Sequence, residues 1–198
     1  MNESDFTLLD DEARGSWLRL RTLILLRWLA ILGQTAAVLA AGPVLGLSVP
    51  LGSCAAVIAA AVIFNVIAMI GTAENRRLTE REATLTLLFD VGQLGALLLL
   101  TGGISNPFAL LVIAPVTISA SVLSRRSTIL LAAVACVIVT FLALAAPPLG
   151  RADGALFEPP PPLLLGGWAA IVIGIAFLAF YARQVSREAF SMSQALGA

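Results

Sequence analysis

The sequence has no histidine. That absence excludes a histidine general base, a phosphohistidine and histidine-ligated metal or haem within these residues. Cysteine is nearly absent too. Cys54 and Cys136 each sit inside a long apolar stretch. They are too few and too far apart for a metal cluster or a disulfide framework, and no metal is expected. Charge is scarce: Asp, Glu and Arg together make up 12% of 198 residues. The 12 basic residues, all arginine, balance 12 acidic ones. A zero net charge offers no footprint for nucleic acid, and no direct binding to it is expected. A water-soluble domain needs a charged surface that this chain lacks. What it has instead is 59% hydrophobic residues and a mean hydropathy of +0.97. The first expected partner is the lipid bilayer.

A membrane-spanning helix needs roughly 20 mostly apolar residues. Six stretches qualify: 22–41, 51–71, 84–101, 107–123, 127–146 and 163–182. Backbone in lipid must satisfy its own hydrogen bonds, so the spans are helices. The third and fourth are separated by Gly102-Gly103 and Asn106-Pro107. The expected fold is an all-α bundle of six transmembrane helices. Arginine falls in alternate connections: Arg14, Arg19 and Arg21; Arg76, Arg77 and Arg81; Arg125 and Arg126; Arg183 and Arg187. The intervening loops carry only Arg151, beside Asp153 and Glu158. Positive charge stays inside, which places both termini in the cytoplasm. The expected organisation is a cytoplasmic segment 1–21, a membrane domain 22–182 and a cytoplasmic helix starting at 183–198. A cysteine introduced within 152–157 is expected to react with an impermeant thiol reagent from the periplasm. One within 73–80 is expected to react only after permeabilisation; the reverse pattern contradicts the topology. The proline-rich connection 147–162 reads as a stiff, extended spacer.

Polar side chains interrupt the spans. Arg27 lies five residues past Thr22 in the first span, and Asp90 six residues past Thr84 in the third. Both spans enter from the same side, so the two groups lie at about 7–9 Å depth. An unpaired charge there costs on the order of 2.5–3.5 kcal/mol. Equal depth and opposite sign predict a pair; the alternative is Arg27 reaching the headgroups with Asp90 protonated. Gln93 shares the face of Asp90, and Gln34 that of Arg27. With Asn65 they predict a polar seam, either functional or simple hydrogen-bonding glue between helices. Trp28 is placed to cover Arg27. Trp17 and Trp168 read as interfacial anchors.

The connection Thr101-Gly102-Gly103-Ile104-Ser105-Asn106-Pro107-Phe108 joins the third and fourth spans. Two glycines open unusual φ values, and Asn106-Pro107 is a helix start. One reading is a tight turn. The other is a quinone headgroup pocket, with Ser105, Asn106 and free N–H groups as donors and Phe108 as a ring face.

The motif Gly102-Gly103-x-x-Asn106-Pro107-Phe108 resembles the signature loop of the RegB/PrrB/ActS redox-sensing histidine kinases. The likeness extends to Trp17-Leu18-Arg19-Leu20-Arg21-Thr22 and Leu26-Arg27-Trp28 with Gln34. It continues in Phe89-Asp90-x-x-Gln93-Leu94 and Ala114-Pro115-Val116-Thr117. The resemblance implies a six-span sensor domain in the bacterial inner membrane. It implies ubiquinone from the quinone pool as the sensed ligand, held by Gly102, Gly103, Ser105, Asn106, Pro107 and Phe108. It also implies dimerisation through a kinase region and phosphotransfer to a response regulator. That family's phosphorylated histidine, ATP-binding lobe and redox-active cysteine belong after the sixth span. The expectation is a sensor domain cut before its kinase, inactive as an enzyme by itself. A six-span binding component of a vitamin-type transporter and a membrane assembly factor are the rival readings.

Overall fold

The computed structural model describes residues 20–70, 78–151, 153–157 and 159–196. Arg14, Trp17, Arg19, Arg76, Arg77 and Glu158 lie outside the described residues. Among the described residues six α-helices follow one another: α1 (Leu20–Leu45), α2 (Leu51–Ile70), α3 (Glu80–Leu100), α4 (Ile113–Val122), α5 (Arg125–Ala145) and α6 (Pro161–Leu196). Five of them carry apolar stretches long enough to cross a membrane. The remaining span, Pro107–Val122, begins as a 3-10 helix over Pro107–Val112 and continues as α4. A 3-10 turn rises about 2.0 Å per residue against about 1.5 Å in an α-helix. The tighter winding stretches this short segment to about 27 Å, close to the ~30 Å hydrocarbon thickness.

The helix starts follow local chemistry. Thr79 caps α3 in a capping box: its N–H donates to Glu82 Oε2 at 2.9 Å, and its hydroxyl accepts from the Glu82 N–H at 3.3 Å. α3 therefore begins four residues earlier than hydropathy alone indicates. Ser124 caps α5. The Glu80 carboxylate accepts from the Ser127 hydroxyl at 2.6 Å and the Ser124 N–H at 3.3 Å. A negative group thus sits at the positive end of α5 and ties α3 to α5 at the arginine-rich end of the bundle. α6 begins at Pro161 because prolines fit a first helical turn, whose N–H groups lack intrahelical partners. It runs beyond the apolar stretch ending at Ala182 to Leu196.

The core lies among α3, α4, α5 and α6. On α5, Thr128, Leu131, Ala135, Val139 and Leu142 are buried at three- and four-residue spacing. The four apolar ones share a cluster with Leu87, Val91 and Leu98 of α3, Val116 of α4 and Ile171 and Ile175 of α6. Gly95 permits close approach of α3 to α5: a Cβ there would lie 2.7 Å from Ile138 Cγ2. The α1–α2 hairpin leans on α3 through a smaller cluster of Val38, Cys54 and Leu97. α1 packs on α2, and α4 packs on α5 and α6.

One expectation is corrected. The 147–162 connection is not a plain spacer: it folds into β2 (Leu149–Arg151) and β3 (Leu156–Phe157), and β2 pairs with β1 (Leu47–Ser48). All pairing is antiparallel, with Leu47 opposite Arg151 and Leu149 opposite Phe157. The three strands give backbone donors and acceptors at the end of the bundle mutual partners. Pro147-Pro148 and the Pro159–Pro162 run flank the pairing rather than interrupt it.

Candidate ligand cavity and its polar lining

Gly102 and Gly103 both adopt positive φ, +94° and +61°. Gly102 lies under Leu149 of β2, and Gly103 abuts Leu142 and Ala146 at the end of α5. The Asn106 amide nitrogen donates to the Thr101 hydroxyl at 2.9 Å and the Thr101 carbonyl at 3.2 Å. Its amide oxygen accepts from the Phe108 N–H at 2.9 Å. The Ser105, Asn106 and Ala109 N–H groups bond to Gly102, Gly103 and Asn106 carbonyls. Asn106 is therefore a staple inside the turn rather than a free donor, and the N–H groups of Ser105, Asn106, Phe108 and Ala109 are already spent. Pro107 occupies the first position of the 3-10 helix. Ser105 keeps its hydroxyl, and Phe108 is 46% exposed.

Within the spans, Arg27 Nε donates to Asp90 Oδ1 at 2.7 Å and Nη2 to Oδ2 at 3.0 Å. The side chains are 5% and 26% exposed. This bidentate geometry is the strong form of the interaction. The guanidinium lies 4.7 Å from the Phe64 ring centre and 5.8 Å from that of Phe89. The two rings stack at 4.2 Å. Phe64 and Phe89, not Trp28, cover Arg27; no local spacing in the sequence links α2 to that role. Gln34 and Gln93 exchange amide hydrogen bonds at 3.0 and 3.3 Å. Asn65 stands apart from this seam: it is fully buried and donates to the Ile24 carbonyl at 3.2 Å, fixing α2 to α1. The Trp168 indole N–H donates to the Thr140 hydroxyl at 3.0 Å and ties α6 to α5. Cys54 and Cys136 are free thiols.

Both sets of residues line one cavity of about 650 Å³. Its walls are α1, α3 and the span that includes α4. Arg27, Gln34, Asp90 and Gln93 line its inner part, and Thr101, Gly102 and Ser105 to Phe108 close the far end beneath Leu47, Leu149 and Arg151 of the sheet. The remaining lining is aliphatic. Leu26 and Leu29 of α1 and, toward the other end, Phe108 and Leu111 are exposed apolar lining residues, so the cavity opens onto the apolar surface of the bundle. Its volume falls in the range of small-molecule sites.

A bundle of apolar, span-length helices with a paired charge inside the spans defines a multi-pass membrane domain. Residues 16–155 match the family of PilS-like transmembrane domains. Two relatives, both described as sensor histidine kinase RegB and both from Cereibacter sphaeroides, are 51% identical over 189 residues. That is 96% of this chain and 41% of each relative. The chain belongs to the PilS-like transmembrane-domain family and is a membrane domain of the RegB type. It resides in the bacterial inner membrane. It spans 41% of the length of these relatives. No solved structure matches it.

Proposed function

We propose that the chain is the sensory membrane domain of a histidine kinase and that it binds ubiquinone non-covalently in the cavity between α1, α3 and α4. Kinase output and transfer to a response regulator belong to the longer protein. The observation that carries the ligand is the cavity itself: aliphatic, open toward lipid, and closed at one end by the Gly102–Phe108 turn. The ring of Phe108 supplies a flat wall and Ser105 a hydroxyl that donates or accepts. Asn106 acts by holding the turn in shape.

Reduction converts quinone carbonyls, which accept hydrogen bonds, into hydroxyls that donate them. A site that binds the two forms unequally shifts a conformational equilibrium by that difference. α6 packs on both α4 and α5 and continues to Leu196, so it is the element that carries the shift toward the cytoplasm. In this reading α1 begins and α6 ends on the cytoplasmic side.

The test is binding to purified domain in detergent, followed by quenching of Trp17, Trp28 and Trp168. Asn106→Ala and Phe108→Ala are expected to weaken a ubiquinone analogue roughly two- to tenfold while the bundle stays folded. Loss of ring contact at Phe108 equals or exceeds the loss at Asn106. Equal affinity in wild type and both variants would remove the turn from the site.

A further inference from the structure

The turn and the Gln34–Gln93 pair line the same cavity but lie far apart in it. Eight residue steps along α3 and its C-cap lead from Gln93 to Thr101, about 12 Å of rise. A single benzoquinone ring, about 5 Å across its oxygens, is smaller than that separation. The two polar regions are therefore separate stations for a headgroup. At the turn, most hydrogen-bonding groups are committed: Asn106 to Thr101 and Phe108, and the Thr101 hydroxyl to the Leu97 carbonyl at 2.8 Å. At the inner station, each glutamine uses one N–H and accepts one bond in the reciprocal pair. Each therefore retains a second N–H and further acceptor capacity. Both glutamines line the cavity, and in a mainly apolar lining a polar group gains from a partner.

From this we infer a second, deeper headgroup station at Gln34 and Gln93, where a neutral lipid-soluble ring bearing hydrogen-bonding oxygens engages the two amides. This rests on the quinone reading above and adds to it a position and a pair of binding residues. An amide serves either redox form, because its N–H meets a quinone carbonyl and its oxygen meets a quinol hydroxyl. α1 reaches α3 here through side chains, with the aliphatic cavity alongside. A ring bonded to the remaining amide groups bridges Gln34 of α1 and Gln93 of α3 and so couples the two helices.

Two measurements on the purified whole chain test the station. In the first, a photoreactive azido-ubiquinone is cross-linked and the labelled peptides are mapped. Label in 30–37 and 90–97, displaced by excess ubiquinone analogue, supports the station. Displaceable label confined to 101–108 overturns it while leaving quinone binding at the turn intact. Absence of any displaceable label overturns both readings. In the second, Gln34→Leu and Gln93→Leu are titrated with the same analogue. Leucine suits a lipid-facing helix, so both variants are expected to fold and to bind about three- to tenfold more weakly. Unchanged affinity in both, beside weakened binding in Phe108→Ala, overturns the inner station alone.

Discussion

Replacing Gly103 with alanine is expected to abolish most of the folded yield. Its φ of +61° is unfavourable for any side chain, and a Cβ there would overlap that of Ala146 and lie 2.8 Å from the Leu142 carbonyl oxygen. The obstacle is helix backbone at the end of α5, which cannot rotate away as a flexible side chain would. Overpacking of a fitted site typically costs about 1–3 kcal/mol, and the left-handed backbone adds to it. Gly46, also at positive φ, has open space around its missing Cβ. Gly46→Ala therefore isolates the φ term and is expected to do far less harm. Thermal unfolding in detergent, followed by fluorescence-detected size exclusion, measures both. Comparable losses in the two variants would mean that crowding against α5 does not matter.

The second large effect concerns the Arg27–Asp90 pair. Removing one partner of a buried ion pair leaves an uncompensated charge and costs about 3–5 kcal/mol. The two halves are not equivalent. Arg27 is 5% exposed and enclosed by Phe64 and Phe89, whereas Asp90 is 26% exposed and borders the cavity. Asp90→Ala is therefore expected to lower thermal stability more than Arg27→Ala. The double exchange, Arg27→Asp with Asp90→Arg, should recover part of the loss but not all, because the arginine then leaves its place beside Phe64. A double exchange no better than the single variants would show that the measured costs come from elsewhere.

Why some of this was readable from sequence and some was not follows from range. The spans are written in hydropathy, and Arg27 and Asp90 are predictable partners because equal depth is a sum of short rises along two helices. The Gly102-Gly103 and Asn106-Pro107 steps announce a turn, and the structure builds one there. What escaped sequence reading depends on contacts between distant segments. Leu47-Ser48 meets 149–151 across about a hundred residues, and strands of two or three residues have no period to detect. Phe64 reaches Arg27 from another helix by packing alone. The commitment of the Asn106 amide to Thr101 also needed the folded turn, since the same residue types in an open loop would leave those donors free. Nor does any spacing in the chain reveal that the turn and the glutamine pair share one cavity.

The account rests most directly on whether this membrane domain holds a quinone at a defined site. Purified chain in lipid nanodiscs, titrated with a ubiquinone analogue while tryptophan fluorescence is recorded, decides it. Binding at a defined site predicts quenching that saturates and is weakened in Phe108→Ala. Quenching that rises without saturation in proportion to quinone in the bilayer, and equally in the variant, would contradict it.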